Sequence, residues 1–216
     1  DANDDVHDSP IMGSRLEMNF WDTETRENLI PYSTQFDQWD ENLFITTNDI
    51  DPPFKHINGR NLISGGASEE ADLLQYAGGA SGARLNVTLT PQQQYCFSCY
   101  IKQSGTNTLL DVAILTDETG SIQTSFNFTN KTLTSTSNVD KAGYKFIGNG
   151  WYRIYVVGTM DNTVNNAKVR VNNNFTSGYY WGAQLEEGSV PTEFIYTDDA
   201  SVNTEYDIFY EGNDRR

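Results

Sequence analysis

Short runs of alternating apolar and polar residues, each closed by a turn signal, recur along most of this sequence. Apolar residues at every second position are typical of a strand with one buried face, and no stretch sustains the helical spacing instead. Strands that follow one another at this spacing predict an all-β, antiparallel sandwich. The predicted strands cover residues 83–89, 95–103, 109–116, 122–127, 144–146, 151–158, 167–171 and 179–186.

Glycine, asparagine and serine mark the turns between these runs. Asn149-Gly150 and Ser177-Gly178 are examples, and both pairs are common in tight turns. Residues 68–75, bracketed by Gly65-Gly66 and Gly78-Gly79, are expected to form at most a turn or two of helix.

Length and charge limit the classes of partner. A chain of 216 residues fits one large domain, or one domain with substantial arms. The 30 acidic side chains outnumber the 14 basic ones, so the protein is expected to repel nucleic acid and anionic membrane surfaces. No apolar run approaches the roughly 18 residues of a membrane span. We therefore expect no nucleic-acid partner and no membrane insertion.

The two cysteines, Cys96 and Cys99, form a C-x-x-C pair inside a predicted strand. Residues three apart in a strand point to opposite faces, so the two thiols are expected to be ordinary strand thiols and not joint metal ligands. Only two histidines are present, His7 and His56, which leaves no three-histidine metal site. We expect no metal and no cofactor.

Alternation also predicts which side chains face the core of three long strands. The predicted core sets are Tyr95, Phe97, Cys99 and Ile101; Tyr152, Ile154 and Val156; and Trp181, Ala183 and Leu185. The predicted outer sets are Cys96, Ser98, Tyr100 and Lys102; Trp151, Arg153 and Tyr155; and Tyr180, Gly182, Gln184 and Glu186. The outer sets combine aromatic and polar side chains.

Two short alternating runs lie near the ends of the chain. Leu16, Met18 and Phe20 alternate with polar residues. Tyr206, Ile208 and Tyr210 alternate with Asp207 and Phe209. The first run is either a first strand of the domain or an arm that adds to the sheet of another protein. The second is either a strand that needs a partner or a disordered acidic tail. Both sets are candidate docking residues.

Four segments carry a family resemblance: NLIPYSTQFDQW (28–39), YCFSCYIKQ (95–103), GNGWYR (148–153) and WGAQLEEGSVPTEFIYT (181–197). In this order they resemble the carbohydrate-binding-module-like jelly roll of tailed-bacteriophage virion proteins. The last segment is the most specific of the four. The resemblance spans residues 28–197 and leaves an N-terminal arm (1–27) and a C-terminal tail (198–216) outside it.

The resemblance implies a two-sheet antiparallel jelly roll used on phage tails, fibres or capsid surfaces as an adhesive or building module. It assigns no role to the two extensions. We expect them to be arms that dock a non-enzymatic virion protein (appendage, fibre or decoration) to capsid or tail proteins, and we expect a homo-oligomer because phage assemblies are symmetric. The matched segments also have a structural explanation, in which Trp181 and Leu185 fill the core and Pro191-Thr192 ends strand pairing.

A glycan-binding adhesin of the tail, recognising a host surface glycan, is the alternative. Its candidate contacts are outer-face side chains whose rings could stack on sugars and whose polar atoms could bind hydroxyls. They are Tyr100, Trp151, Arg153, Tyr155 and Tyr180.

A glycoside hydrolase is the least favoured alternative, because hydrolysis needs two carboxylates about 5 to 9 Å apart. The pattern at Glu70-Ala71-Asp72 lacks a third acid at Gln75, and Glu186 and Glu187 are expected on opposite strand faces. We therefore expect no catalytic residues and no enzymatic activity.

Overall fold

A computed structural model describes residues 27–41, 43–53, 56–57, 60–61, 71–76, 82–116, 120–164, 166–172, 177–197 and 202–203. Within these ranges the regular structure is β-strand apart from one short 3-10 turn, Phe36–Gln38. The strands are β1 (Glu27–Asn28), β2 (Asp40–Glu41), β3 (Leu43–Ile50), β4 (His56–Ile57), β5 (Arg60–Asn61), β6 (Ala71–Tyr76), β7 (Ala83–Asn86), β8 (Gln94–Gln103), β9 (Leu109–Thr116), β10 (Gly120–Asn127), β11 (Thr132–Ser135), β12 (Lys141–Gly148), β13 (Trp151–Thr159), β14 (Lys168–Val171), β15 (Gly178–Glu187) and β16 (Val202–Asn203). In this part of the chain, no helix is long and apolar enough to cross a membrane.

Twelve of these strands form two antiparallel six-stranded sheets. Sheet I has the order β11-β10-β9-β14-β7-β2, and sheet II has the order β12-β13-β8-β15-β6-β3. Strands β6, β7, β8 and β9 alternate between the two sheets, as consecutive strands do in a jelly roll. The all-β sandwich predicted from the sequence is confirmed, and each of the eight predicted strands coincides with an observed one.

The main core lies between the inner faces of the two sheets. Fully buried side chains from sheet I include Leu110, Val112, Ile114, Ile122, Phe126 and Val169, and those from sheet II include Phe97, Cys99, Ile101, Ile154, Val156 and Leu185. Removing such a side chain from water contributes roughly 1.5–3 kcal/mol. The predicted inner faces of β8 and β13 are confirmed, because their core sets all pack in this cluster.

Strand β6 corrects the helix expected over residues 68–75. From residue 71 onward the chain is a strand that pairs with β3 on one side and with β15 on the other. Ala71, Asp72, Leu73 and Leu74 are all buried, so both faces of the strand are covered over these four residues, and Gln75 is exposed. A strand covered on both faces does not alternate in sequence, which is why periodicity failed to identify it.

The β12–β13 hairpin closes through the predicted Asn149-Gly150 turn. Both residues have positive φ, 50° and 82°, as a two-residue type I′ turn requires. Gly148 pairs with Trp151 across it. β12 pairs with β13 alone in this sheet and is therefore an edge strand of sheet II.

A β-bulge in β15 reverses which side chains face the core. Trp181 pairs with Tyr100 and Gln184 pairs with Ser98, so Gly182 and Ala183 together oppose the single residue between those partners. Gly182 has φ +63°, a conformation that side-chain-bearing residues rarely adopt. The extra residue shifts the alternation by one position along the rest of the strand.

The two ends of the domain lie side by side. Glu27 pairs with Asn203 and Asn28 pairs with Val202, antiparallel. The docking candidates Leu16, Met18, Phe20, Tyr206, Ile208 and Tyr210 lie outside the described residues, and so does most of each extension.

Candidate functional site

The closing segment of the domain folds back over the outer face of sheet II. Glu186 accepts hydrogen bonds from the Thr192 amide at 3.1 and 3.2 Å, and the Ile195 amide donates to Gln184 Oε1 at 2.8 Å. Gln184 Nε2 also donates to Glu186 Oε2 and to the Glu193 carbonyl. Both side chains are buried. These outer-face polar residues of the WGAQLE segment therefore hold the backbone that follows them.

The opening segment completes this arrangement along β15, beyond the three residues that pair with β6. Asn28 Nδ2 donates to the Ala183 carbonyl at 3.1 Å, and the Ala183 amide donates to the Ser33 carbonyl at 2.8 Å. Ser33 and Thr197 also exchange backbone and side-chain hydrogen bonds. Residues 28 and 33 thus satisfy the backbone groups of Ala183. We call residues 28–33, 181–186 and 192–197 the clasp.

Trp181, Tyr100, Trp151, Phe194 and Ala71 form a second buried cluster under the clasp. Trp181 packs against Phe194 with ring centroids 4.8 Å apart, and Tyr100 packs against Trp181 at 5.6 Å and against Phe194 at 6.0 Å. Trp181 was predicted to fill the core between the two sheets, and this is wrong. Trp181 is buried, but on the outer side of sheet II. The bulge is the physical reason.

Three of the five predicted glycan contacts do not lie at the surface. Tyr100 and Trp151 are on the predicted outer face but are only 3% and 2% exposed, because the closing segment covers that face. Tyr180 is fully buried in the main core, where its ring packs against Phe36 at 6.3 Å. The bulge explains the wrong face for Tyr180 alone, since residues before it and after it follow opposite parity. Tyr100 and Trp151 lie on the face predicted for them, and burial removes all three rings from the exposed surface.

Arg153 and Tyr155 remain partly exposed. Arg153 donates to the Thr192 carbonyl and, at 2.9 Å, to Ser98 Oγ, and its guanidinium lies 5.2 Å from the Tyr100 ring centroid. It therefore helps to hold the closing segment. Tyr155 lies across Gly143, where an added Cβ would come within 2.4 Å of its hydroxyl oxygen. The five candidates do not converge on one surface, and a glycan contact by Arg153 or Tyr155 stays a prediction.

A polar network crosses the outer face of sheet I. Gln123 Nε2 donates to Asp111 Oδ2 at 2.7 Å, and Arg170 donates to Gln123 Oε1 at 2.6 Å. Asp111 is fully buried and Arg170 is 7% exposed. Burial lowers the pKa of Arg170, and the nearby Asp111 carboxylate partly offsets this effect. The network ties β9, β10 and β14 together on this face.

The two thiols are buried and unpaired with each other. Burial raises the pKa of Cys96 to about 12, and Glu186 adds to the shift; burial also raises the pKa of Cys99. Cys99 packs in the main core. The prediction of ordinary strand thiols is confirmed.

The carboxylates considered for hydrolysis have structural partners. Asp72 Oδ2 accepts from the Phe36 amide at 3.0 Å, and Glu186 is held by Thr192. Glu187, unlike Glu186, is exposed and accepts from Gln93. Among the residues that the structure covers, no group of three His, Cys, Asp or Glu side chains could hold a metal ion.

Among the residues whose burial the structure describes, the most exposed aromatic side chains are ones that the sequence analysis did not select. Tyr144 is 42% exposed and Phe146 is 58% exposed, both on β12. They share a face with each other because they are two positions apart in a strand. We call these two rings, with Phe126, Phe128 and Tyr152 beneath them, the edge aromatic cluster.

The signal that could have identified this cluster is present in the sequence. Tyr144 and Phe146 are the alternating positions of a predicted strand, and Lys141 and Lys145 lie in the same run. Lysines in a strand are typical of a sheet edge, and inward-facing aromatics at an edge are left partly uncovered.

Comparisons with known proteins found no matching family model and no matching curated protein. Among solved structures, the chain is similar to the CBM22-1–GH10 modules of Clostridium thermocellum endo-1,4-β-D-xylanase 10B, solved in complex with xylohexaose, with 14% identity and a TM-score of 0.44 over 80% of this chain and 29% of that one. It is also similar to the enzymatically active domain of tailspike protein 4 of bacteriophage CBA120, with 13% identity and a TM-score of 0.41 over 74% of this chain and 21% of that one. The chain thus spans less than a third of either neighbour.

Proposed function

We propose that this chain is a non-enzymatic structural module of a bacteriophage virion, an appendage, fibre or decoration protein. It docks to other virion proteins through its two extensions, assembles as a homo-oligomer, and presents the sandwich toward the host surface for adhesion. The sequence resemblance over residues 28–197 supports the class of protein.

The pairing of β1 with β16 carries the proposal. It brings residues 27 and 203 together, so the N-terminal and C-terminal extensions start from one place on the domain. The Leu29 amide also donates to the Leu185 carbonyl at 2.8 Å, which fixes this place on sheet II. Two chain segments that leave together can dock to one partner surface and leave the opposite part of the sandwich free.

The clasp supports a scaffolding role for the matched segments. Asn28, Ser33, Gln184, Glu186 and Thr197 are all buried, and their side chains bind the backbone of the domain itself. Buried groups that already satisfy one another hold a fold together, and function is left to the surface and the extensions.

Deletion of residues 1–26 or 204–216 tests the docking role and leaves β1 and β16 in place. We expect each deletion to keep the far-ultraviolet spectrum and melting behaviour of the sandwich but to reduce the copies of the protein per particle, measured by quantitative mass spectrometry of purified virions. The matched control is Val190→Ser, a change at an exposed apolar residue within the domain. Normal copy number in both deletions would contradict docking by the extensions.

A further inference from the structure

The edge aromatic cluster presents two rings to solvent on a rigid support. Phe126 packs against Tyr144 with centroids 4.8 Å apart, and Phe146 packs against Tyr152 at 5.0 Å. Phe126 also contacts Tyr152 at 4.7 Å. The exposed rings therefore lie on a buried aromatic layer and lose little conformational freedom when a ligand covers them.

Polar groups of the β10–β11 turn lie beside these rings. Tyr144 donates its hydroxyl hydrogen to the Lys131 carbonyl at 2.9 Å, and Lys131 Nζ lies 4.9 Å from the Tyr152 ring centroid. Asn130 and Lys131 are both exposed. The surface thus combines flat apolar area with hydrogen-bonding groups at one margin.

We propose that Tyr144 and Phe146 bind a neutral pyranose residue of a polysaccharide. The C–H face of the sugar covers the two rings, and its hydroxyl groups bind the polar side chains of the turn at Asn130 and Lys131. This inference rests on the proposed adhesion role and names the surface and the class of ligand for it.

The exposed area favours a sugar over a protein partner. Each ring offers on the order of 200 Å² when fully exposed, so two rings that are about half exposed offer about 200 Å² together. A stable protein interface buries about 800 Å² on each partner. The aromatic area is about a quarter of that, which suits one or two sugar residues.

The edge of β12 is also unsuited to pairing with another strand. Lys141 and Lys145 are exposed on it, and the register shifts between Phe146 and Gly148. Charged side chains and bulges prevent edge-to-edge pairing. The net charge of −16 also disfavours a second copy of this chain as the partner.

The position of the cluster is compatible with docking at the chain ends. Phe146 pairs with Tyr152, Tyr152 pairs with Ile101, and Ile101 pairs with Tyr180. Tyr180 lies five residues before Leu185, where the opening segment attaches. Three strand spacings of about 4.8 Å and five residue rises of about 3.4 Å place the two features about 20 Å apart. The cluster thus lies about 20 Å from the strand position at which the opening segment attaches.

Titration of the full-length chain with soluble hexasaccharides of glucose, galactose, mannose and xylose tests the inference. We expect at least one probe to bind and to shift the aromatic side-chain NMR signals of Tyr144 and Phe146. Phe146→Ser, which removes the more exposed ring, is expected to weaken that binding about tenfold or more. Val190→Ser, which removes a comparably exposed apolar side chain elsewhere, is expected to bind like the unmodified protein.

Three results would overturn the inference: no binding of any of these probes, binding that Phe146→Ser leaves unchanged, or binding only of an oligogalacturonate included as an acidic probe. Virion incorporation of Phe146→Ser at the normal copy number separates this site from the docking role. If the rings do not bind a sugar, the deletions of the extensions still test the docking role independently.

Discussion

Asn28 and Leu185, 157 positions apart in sequence, are joined by a hydrogen bond from the Leu185 amide to Asn28 Oδ1 at 3.1 Å. The same oxygen accepts from the Ile30 amide, and Asn28 Nδ2 donates to the Ala183 and Ile195 carbonyls. One buried side-chain amide thus satisfies backbone groups of the opening segment, the bulged strand and the closing segment. The start of the domain is thereby fixed to its end.

Asn28→Ala is expected to lower the free energy of unfolding by about 3 kcal/mol or more, because each buried backbone group left without a partner costs about 1–3 kcal/mol. Urea unfolding followed by tryptophan fluorescence measures this change. Asn162→Ala is the control, since Asn162 is exposed and accepts one hydrogen bond from Gln92. We expect it to change stability by no more than about 0.5 kcal/mol. Equal effects of the two variants would show that the Asn28 bonds do not hold the clasp.

Gln184→Ala is expected to loosen the closing segment without unfolding the sandwich. The Ile195 amide loses its acceptor, Gln184 Oε1, so its hydrogen exchange should accelerate by about tenfold or more. Exchange of the Val156 amide, in the centre of sheet II, should change less. Gln93→Ala serves as the control, because Gln93 bonds to Glu187 at the exposed surface. Unchanged exchange at Ile195 would argue against this role of Gln184.

Gly182→Ala tests the bulge. Its backbone has φ +63°, and an added Cβ would lie 2.9 Å from Tyr100 Cδ2 and 3.2 Å from Phe194 Cε2. Gly105→Ala is a matched control with φ +58° and no atom within 4 Å of its Cβ. Both variants bear the cost of a left-handed conformation, about 1–2 kcal/mol, and only Gly182→Ala adds an overpacking cost of about 1–3 kcal/mol. Thermal unfolding compares them, and equal losses would rule out the predicted crowding against the aromatic rings.

Ionisation of the buried thiols should lower the free energy of unfolding at alkaline pH. Burial raises the pKa of Cys96 from 9.0 to about 12 and also raises that of Cys99. A group with a raised folded-state pKa contributes its full stabilisation below its unfolded pKa, and this contribution is lost as pH rises. Between 9.0 and about 12, Cys96 should therefore lower the free energy of unfolding by up to about 1.4 kcal/mol per pH unit.

Urea unfolding across this range measures the slope, and Cys96→Ala should reduce it. Below that range both thiols should react with a thiol reagent only after unfolding, because the reactive thiolate is suppressed in the folded protein. Rapid labelling of Cys96 in the native protein, or an unchanged slope in Cys96→Ala, would count against the proposed environment.

Local patterns predicted the regular part of the fold. The Asn149-Gly150 turn, the inner faces of β8 and β13 and the opposite placement of Cys96 and Cys99 all depend on nearest neighbours in the chain. Strand β6 was missed because burial on both faces removes the alternation. Alternation placed Ala183 and Leu185 in the core correctly, but it assigned Tyr180 and Trp181 to the wrong faces because a single inserted residue at Gly182-Ala183 exchanges the two faces of β15.

The candidate surface could not be predicted in the same way. Alternation assigned Tyr100 and Trp151 to the outer face of sheet II correctly, but it carries no information about what covers that face. The segment at 192–197 returns over it, held by Gln184 and Glu186, and converts an apparent aromatic surface into a second core. Phe146, predicted only as part of a short strand, is the most exposed of the large hydrophobic residues in the described part of the chain.

The sequence by itself determined the β-sandwich class, the hairpin turn and the strongly negative net charge, since periodicity, turn chemistry and charge are properties of short segments or of composition. Only the tertiary structure decided which aromatic rings meet solvent and that residues 27–28 pair with residues 202–203. The pairing of the ends depends on contacts between residues more than 150 positions apart, such as Asn28 with Leu185. The exposure of the rings depends on the closing segment that covers sheet II and on one bulge whose effect appears only when the strand pairs with its neighbour.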